Sequence, residues 1–266
     1  MQKMISVITP VYNGEQFIES CIKVVINQNC PDAEHLIIDG DSTDRTLQII
    51  KQYADKHPHI RWISEKDKGQ SDAMNKGIAM AKGEVLGILN VDDFYEPDVL
   101  NRILKIFSFL PEPSLLVGNC NIWNDEGNIF RINKPSNLNF LGLLRRGNFP
   151  VNPSAYFYHT SLHQKIGLYK VDEHYAMDYD FILRAVQVTN INYVDEIWGN
   201  FRFITGTKTF NDFQTDQATL RYSNLISQYR KKLTIRQKIQ IFIREQISKA
   251  KHKALSVITI ASRNHL

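Results

Sequence analysis

The chain has few cysteines and lacks the long apolar segments that mark export or membrane insertion. Its three cysteines, Cys21, Cys30 and Cys120, form no CxxC pair and cannot all pair with one another. This usage argues against a disulfide framework and indicates a reducing compartment. No signal-peptide pattern opens the chain, and no apolar run is long enough to cross a bilayer. We therefore expect a cytoplasmic protein.

Common nucleotide and metal motifs are missing as well. The first turn, residues 9–14, contains no GxGxxG, which argues against a dinucleotide-binding fold of the NAD type. No GxxxxGK[ST] occurs, so this is not a P-loop enzyme. His159 and His163 have i,i+4 spacing but lack the intervening Glu and the third ligand of a zinc site. Without these motifs, the negative charge of a diphosphate ligand would have to be neutralised by other groups.

Positive charge is concentrated at one end of the chain. Ten basic residues and one acidic residue follow position 229, which gives this tail a charge of +9. Residues 1–229 therefore carry a charge of −5, since the net charge of the chain is +4. An acidic body with a basic tail is not typical of a nucleic-acid-binding protein, and we expect no nucleic-acid partner. The pattern is that of an enzyme with an electrostatic anchor.

The first third of the chain alternates strand and helix patterns. Apolar runs predict strands at Ile5–Val11, His35–Asp39, Ile60–Ser64 and Val85–Leu89, with helical spacing between them. The alternation predicts an α/β fold with a mostly parallel sheet flanked by helices. Past residue 110 the alternation stops, and a hairpin of residues 114–123 and 127–132 is expected.

Polar residues follow each of the four predicted strands. They are Thr9, Tyr12 and Asn13, then Asp39 and Asp41, then Glu65 and Asp67, then Asp92 and Asp93. In a parallel sheet all four groups lie at one edge, where open α/β sheets bind ligands. Some of these residues are expected to be only turn formers.

Two acidic clusters have both a chemical and a structural explanation. Asp92 and Asp93 repel each other and favour a cation such as Mg²⁺ or Mn²⁺ between them and a diphosphate. Alternatively, they cap a helix over residues 97–107. Asp178 is expected at the N-terminus of a buried helix, where the dipole favours its anion; the alternative is an ordinary N-cap.

Taken together, the motifs resemble glycosyltransferase family 2, inverting sugar transferases with the GT-A fold. The resemblance extends from Ser6 to about Thr209. The residues that carry it are Thr9–Asn13, Ile38–Asp44, Ser71–Gly77, Leu89–Asp93, and Asp178–Asp180 with Leu183–Arg184. Each motif alone is weak, but the order and spacing of all five are specific. The Gln-x-x-Arg-Trp motif of processive synthases is absent after Asp178, which favours transfer of single sugars.

The resemblance implies roles for particular residues. Asp178 would be the catalytic base, Asp93 would ligate Mg²⁺ or Mn²⁺, and Asp92 would contact the ribose or the metal. Thr9, Tyr12, Asp39 and Asp67 would hold the nucleoside, usually uridine. The full set expected at the nucleotide-sugar donor is Thr9, Pro10, Tyr12, Asn13, Asp39, Asp41, Asp67, Asp72, Asn75 and Asp92.

We therefore expect a glycosyltransferase domain at 1–210, with a nucleotide-binding half at 1–110 and an acceptor half at 111–210. Its acceptor would be a glycan or a lipid-linked precursor. Alternatives are a nucleotidyltransferase that makes the sugar nucleotide, and an inactive sugar-nucleotide binding protein. Residues 211–266 are expected to be a helical basic tail, which either lies on the cytoplasmic face of an anionic membrane or packs on the body with a solvated basic face.

Overall fold

The computed structural model describes residues 4–145, 147–173, 176–215 and 217–247. In the first part of the chain, four strands alternate with three helices, as the sequence predicts. The elements are β1 (Ile5–Val11), α1 (Ile18–Ile26), β2 (Ala33–Asp39), α2 (Thr46–Ala54), β3 (Ile60–Ser64), α3 (Gln70–Met80) and β4 (Val85–Ile88).

The remaining elements complete the sheet and add a helical end. They are β5 (Phe94–Tyr95), α4 (Val99–Phe107), β6 (Leu115–Trp123), β7 (Ile129–Asn133), α5 (Phe140–Leu144), β8 (Tyr156–His159), α6 (Leu162–Ile166), α7 (Met177–Ala185), β9 (Ile191–Arg202), α8 (Lys208–Gln214) and α9 (Gln217–Lys231). A short 3-10 helix, Pro153–Ala155, precedes β8. Residues 235–247, here called α10, are helical.

One mixed sheet runs through the molecule in the order β3-β2-β1-β4-β8-β6-β9-β5, and β7 pairs with β6. Strands β1 to β4 are mutually parallel where they pair. The predicted hairpin is confirmed, since β6 and β7 are antiparallel. The long strand β9, parallel to β6, is not predicted because Asp195, Glu196 and Gly199 interrupt its apolar pattern.

Helices cover both faces of the sheet because side chains of the strands alternate between them. On β1, Ile8 packs in a cluster with Met74 of α3 and Phe181 of α7. Val7 of the same strand packs in a second cluster with residues of α1 and α4. The edge at which β1 and β4 end is left open between these layers, and the site lies there.

Two proposed helix caps are wrong. Helix α4 begins only at Val99, after the short strand β5, so Asp92 and Asp93 do not cap it. Asp178 lies within the first turn of α7, where Ala176 holds the cap position. The structural alternatives for the acidic clusters therefore do not apply.

Residues 208–214, 217–231 and 235–247 are helical, and side chains of the last two helices pack on the body. The region expected to be helical contains α8 and α9. Thr234 caps α10, with its hydroxyl accepting from the amide of Gln237. Leu225, Leu233 and Ile241 join the cluster beneath α7. Residues 248–266 of the predicted tail lie outside the described residues. Within the described residues, no helix is both long enough and apolar enough to span a membrane.

Candidate active site

A cavity of about 810 Å³ opens at the carboxyl ends of β1 and β4. Five residues predicted at the donor line it: Pro10, Tyr12, Asn13, Asp67 and Asp92. Its other walls are formed by the start of α3, the end of β9 and the residues that follow β9, including Gln70, Phe201 and Thr209. The size falls within the range of small-molecule sites.

Tyr12 and Asp67 face each other across Gly40. A Cβ atom on Gly40 would lie 2.5 Å from Oδ2 of Asp67 and 3.5 Å from Cδ2 of Tyr12. A side chain at position 40 would collide with the carboxylate, so glycine lets the ring of Tyr12 and the carboxylate of Asp67 approach the backbone here. The Tyr12 ring is 64% exposed. It offers a flat apolar face at the entrance, beside a carboxylate that accepts from the amide of Gly69 at 2.8 Å.

Thr9 and Asp39 lie beneath this cavity rather than in its wall. Thr9 is fully buried, and its hydroxyl is hydrogen-bonded to Nε2 of His35 at 2.9 Å. Asp39 is also buried; it accepts from the hydroxyl of Ser42 and, at 2.6 Å, from that of Ser64. The sequence places both residues at strand ends, but their side chains are bonded within the protein. They fix the loops on which Tyr12 and Gly40 lie.

Three further residues expected at the donor do not line the cavity either. Asp41 is exposed in a turn at a φ of 69°. Asp72 accepts from the amide of Lys68 at 3.0 Å in the first turn of α3. Asn75 exchanges two hydrogen bonds with the backbone of Tyr169, at 2.8 and 3.0 Å. Asn75 therefore joins α3 to the acceptor half of the chain.

The two adjacent carboxylates have different surroundings. Asp93 is 3% exposed, and its Oδ2 accepts from the side-chain amides of Asn90 at 2.9 Å and Asn152 at 2.7 Å. Its Oδ1 accepts from the backbone amide of Arg202 at 3.1 Å. Burial, and next the charge of Asp92, hold the pKa of Asp93 well above its usual range. Asp93 therefore ties the end of β4 to two distant segments. Its expected role as a metal ligand stays a prediction.

Asp92 is half-buried and lines the 810 Å³ cavity. Burial raises its pKa, and the positive charge of Arg202 opposes that rise. No group of three or more His, Cys, Asp or Glu among the described residues is arranged to hold a metal. One carboxylate facing a diphosphate-sized cleft still fits Mg²⁺ or Mn²⁺, because Mg²⁺ commonly takes one or two carboxylates and completes its shell with substrate phosphates and water.

Asp178 lines a second, smaller cavity of about 110 Å³. The two cavities share four lining residues, Gln70, Asn90, Phe201 and Thr209, so they adjoin. The side chains of Gln70 and Asn90 are hydrogen-bonded to each other at 2.8 Å at this boundary. The hydroxyl of Tyr156 donates to Oδ1 of Asp178 at 2.7 Å. The first turn of α7 further favours the anionic form of Asp178.

A buried carboxylate two residues later anchors the helix that carries Asp178. Asp180 is 1% exposed and accepts from Lys170 at 2.6 Å, Arg184 at 2.8 Å and the hydroxyl of Tyr229 at 2.9 Å. Burial raises the pKa of Asp180, but these bonds outweigh it and the pKa lies below its usual value. Asp180 and Arg184 have i,i+4 spacing on α7 and form an ion pair. The contributions of Lys170 and Tyr229 have no local signal in the sequence.

Other residues of the smaller cavity were also missed from the sequence. They include Asn152, which precedes the 3-10 helix, and Asp212, Arg221 and Tyr222 from α8 and α9. Arg221 forms an ion pair with Asp212 at 2.5 Å. Asn152 directly before Pro153 is a turn signal that could have been noticed. The residues of α8 and α9 have no such local signal, since only tertiary packing brings them to Asp178.

Sequence comparisons identify related proteins. The model of glycosyl transferase family 2 matches residues 6–165, more than half of the 266 residues. Chondroitin synthase of Escherichia coli is 38% identical over 104 residues, which is 39% of this chain and 15% of that protein. An uncharacterized glycosyltransferase of Rickettsia typhi is 26% identical over 248 residues, covering 90% of this chain and 75% of that protein. The chain thus spans only a small part of chondroitin synthase.

Solved structures share the fold. S. aureus TarS 1–349 in complex with UDP has a TM-score of 0.60 at 20% identity, covering 75% of this chain and 60% of that chain. The mannosyltransferase PcManGT from Pyrobaculum calidifontis, in complex with GDP-Man and Mn²⁺, has a TM-score of 0.62 at 16% identity. This match covers 84% of the present chain and 63% of PcManGT. The predicted mostly parallel α/β sheet of GT-A type is confirmed. Given the family match over residues 6–165, the chain belongs to glycosyl transferase family 2.

Proposed function

We propose that this protein is an inverting, metal-dependent glycosyltransferase that moves one sugar from a nucleotide-diphosphate donor to an acceptor hydroxyl. The observation that carries the proposal is the adjoining pair of cavities. Asp92 lines the larger and Asp178 the smaller, and four residues border both. A donor in the larger cavity can therefore present its sugar to an acceptor beside Asp178.

The larger cavity suits a nucleoside diphosphate, and we propose a UDP-sugar as donor. The exposed ring of Tyr12 offers a face on which a base can stack, and Asp67 beside it can accept a hydrogen bond from a base N–H. TarS structures with UDP and with UDP-GlcNAc are among those that share the fold. Pro10 and Asn13 complete this end of the cleft.

We propose Asp92, rather than Asp93, as the carboxylate that holds the divalent cation. Asp92 lines the donor cavity, whereas Asp93 is bonded to Asn90, Asn152 and the backbone of Arg202. A cation on Asp92 would act as a Lewis acid toward the diphosphate leaving group. The role of Asp93 is then to position Asp92 and the loop that follows β4.

Asp178 would act as the general base. The acceptor hydroxyl is a weak nucleophile, and a carboxylate in hydrogen-bonding reach can take its proton as the oxygen attacks the anomeric carbon. The new glycosidic bond forms as the bond from that carbon to the diphosphate breaks, and the nucleoside diphosphate leaves. Tyr156, which donates to Asp178, would orient the carboxylate and keep its charge on the oxygen that faces the acceptor.

The alternatives are less well supported. Family membership argues against a nucleotidyltransferase, and an inactive binding protein would not require a carboxylate oriented by Tyr156 beside the donor cavity. We further propose that the donor site lies in residues 1–110 and the acceptor site in residues 111–210, with α8 and α9 closing the latter. The acceptor would be a glycan or a lipid-linked precursor, and the reaction would take place in the cytoplasm.

Replacing Asp178 tests the proposed chemistry. We expect Asp178→Asn to lower the rate of transfer from UDP-sugars to glycan or lipid-linked acceptors by about 10²–10⁴-fold. Calorimetry should show UDP binding in the presence of Mn²⁺ within about twofold of wild type, because the donor cavity is unchanged. Asp172→Asn, on an exposed residue six positions earlier, is the matched control. Equal transfer by Asp178→Asn would remove Asp178 as the base, and no nucleotide binding by the wild type would overturn the proposed function.

A further inference from the structure

Helix α10 exposes a continuous apolar face. Five large apolar side chains on it are half or more exposed: Ile235 78%, Ile239 53%, Phe242 60%, Ile243 50% and Ile247 51%. Their spacing of three, four or eight residues places them along one side of a helix. Ile241, on another side, is 5% exposed and holds α10 against the body. The apolar face is therefore not the one that packs on the protein.

A basic cavity of about 680 Å³ lies between α10, α9 and the end of α5. Four cationic side chains line it, namely Arg145, Arg230, Lys231 and Lys238, together with Ser223, Ser227 and a single carboxylate, Glu245. Glu245 is paired with Arg230 at 2.7 Å. The Nε atom of Arg145 is buried and has no hydrogen-bond partner among the described residues. The cavity thus carries excess positive charge, which suits phosphate oxygens.

The apolar face and the basic cavity adjoin. Lys238, which lines the cavity, follows Ile235 by three residues and precedes Phe242 by four. Side chains at these spacings are neighbours on a helix surface. A partner that covers Phe242 and Ile235 therefore also contacts the edge of the basic cavity. Such a partner must present an apolar interior and, beside it, negative charge.

We propose that α10 lies on an anionic membrane surface, with its apolar face among the acyl chains near the headgroups and the basic cavity holding lipid phosphates. Residues 230–247 carry six basic side chains and one acidic one, which complements such a surface. A second copy of this chain fits less well, because a two-fold contact through this face would bring the same positive charges together. This inference does not depend on the proposed transfer reaction.

Vesicle flotation with the full chain tests the proposal. We expect binding to vesicles of phosphatidylcholine with phosphatidylglycerol, and little binding to phosphatidylcholine alone. The double substitution Ile239→Ser, Phe242→Ser should weaken binding by at least about tenfold, because two exposed apolar side chains leave the membrane. Phe109→Ser is the matched control, since Phe109 is 82% exposed just after α4 and should not matter. Thermal unfolding of both variants near the wild-type midpoint excludes misfolding.

A charge reversal tests the cavity separately. Lys238→Glu should weaken binding to anionic vesicles about tenfold or more, and added salt should weaken wild-type binding. Lys105→Glu, on an exposed residue of α4, should leave binding near that of the wild type. Equal flotation of all variants, equal binding to neutral vesicles, or binding only after removal of residues 248–266 would overturn the proposal. So would a dimer in sedimentation that the double substitution dissociates.

Discussion

The proposed donor half (residues 1–110) and the proposed acceptor half (residues 111–210) are built by different means. In the donor half, the cavity wall comes from loops at the ends of β1 and β4, which are paired in parallel so that their ends share one edge. In the acceptor half, Asp178 is bonded to Tyr156 from β8, and Asp180 holds its helix through Tyr229, 49 residues away. The first site is built mainly from loops at strand ends, with Phe201 and Thr209 completing its wall, whereas the second depends on contacts between distant segments.

This difference determines which substitutions affect stability and which affect only binding. The donor cavity exposes side chains such as Tyr12 and Asp92, whose loss leaves few buried groups without partners. Asp180 in the proposed acceptor half is a buried carboxylate with three bonded partners, and its removal leaves all three unsatisfied. We therefore expect removal of a buried, bonded carboxylate to cost far more stability than removal of a carboxylate that lines the cavity.

The largest effect is expected at Asp180. Asp180→Asn leaves Lys170 and Arg184 without the charge that pairs them at 2.6 and 2.8 Å, so we expect a loss of about 3–5 kcal/mol in the free energy of unfolding. Urea unfolding at neutral pH measures this loss. Tyr229→Phe, which removes only the hydroxyl contributed by α9, should cost about 1 kcal/mol. If both variants keep wild-type stability, the acceptor half does not depend on this network.

A smaller effect is expected from the neighbouring pair at the end of β4. Asp93→Ala removes the acceptor of two side-chain amides and one backbone amide, so we expect a loss of about 2–3 kcal/mol in unfolding free energy. Asp92→Ala should change stability by less than about 1 kcal/mol but should abolish the Mn²⁺ dependence of UDP binding.

Urea unfolding of the protein without nucleotide, together with calorimetry with and without Mn²⁺, distinguishes these two roles. Each variant is the control for the other, because the two residues are adjacent and have the same side chain. A loss of stability at Asp92 as large as that at Asp93 would contradict the assignment. So would Mn²⁺-dependent binding that survives Asp92→Ala.

The sequence predicts the donor half well because its signals are local. Strands β1 to β4, the helices between them and the shared edge all follow from apolar runs and turn residues. The sequence does not show on which side of the edge each polar residue lies. Thr9 and Asp39 follow the same pattern as Tyr12, yet they are bonded beneath the cavity, because a strand turns alternate side chains to opposite faces.

The site in the proposed acceptor half is harder to predict from the sequence, for a different reason. Asp178 can be noticed from its motif in the sequence. In contrast, charged residues interrupt the apolar pattern of β9, so that strand is not predicted. The residues that α9 contributes to the smaller cavity form no local pattern either. The metal role that we propose for Asp92 rather than Asp93 likewise rests on a distant contact, since Asn152 is 59 residues away from Asp93. Such contacts are fixed only when the chain is packed.

The smallest predicted effect concerns His35, a buried polar group in the proposed donor half. His35 is fully buried on β2, and burial, with a smaller contribution from His59, lowers its pKa to about 3. The unfolded chain takes up a proton near the ordinary value of about 6.5. Between about pH 6.5 and 3 the unfolded state therefore binds one more proton, and the free energy of unfolding falls as the pH falls.

Urea unfolding at pH 7, 6 and 5 measures this linkage, and the contribution of His35 approaches about 1.4 kcal/mol per pH unit below its unfolded pKa. His35→Phe keeps a ring but removes the titration, so its slope against pH should be smaller by that amount. Thr9→Val removes the hydrogen-bond partner of His35 and keeps the imidazole buried. It should lower the free energy of unfolding by about 1 kcal/mol at every pH. The slope of this free energy against pH should stay that of the wild type, because burial and not the hydroxyl of Thr9 lowers the pKa of His35. Identical slopes for the wild type and His35→Phe would show that the donor half holds no such buried titrating group.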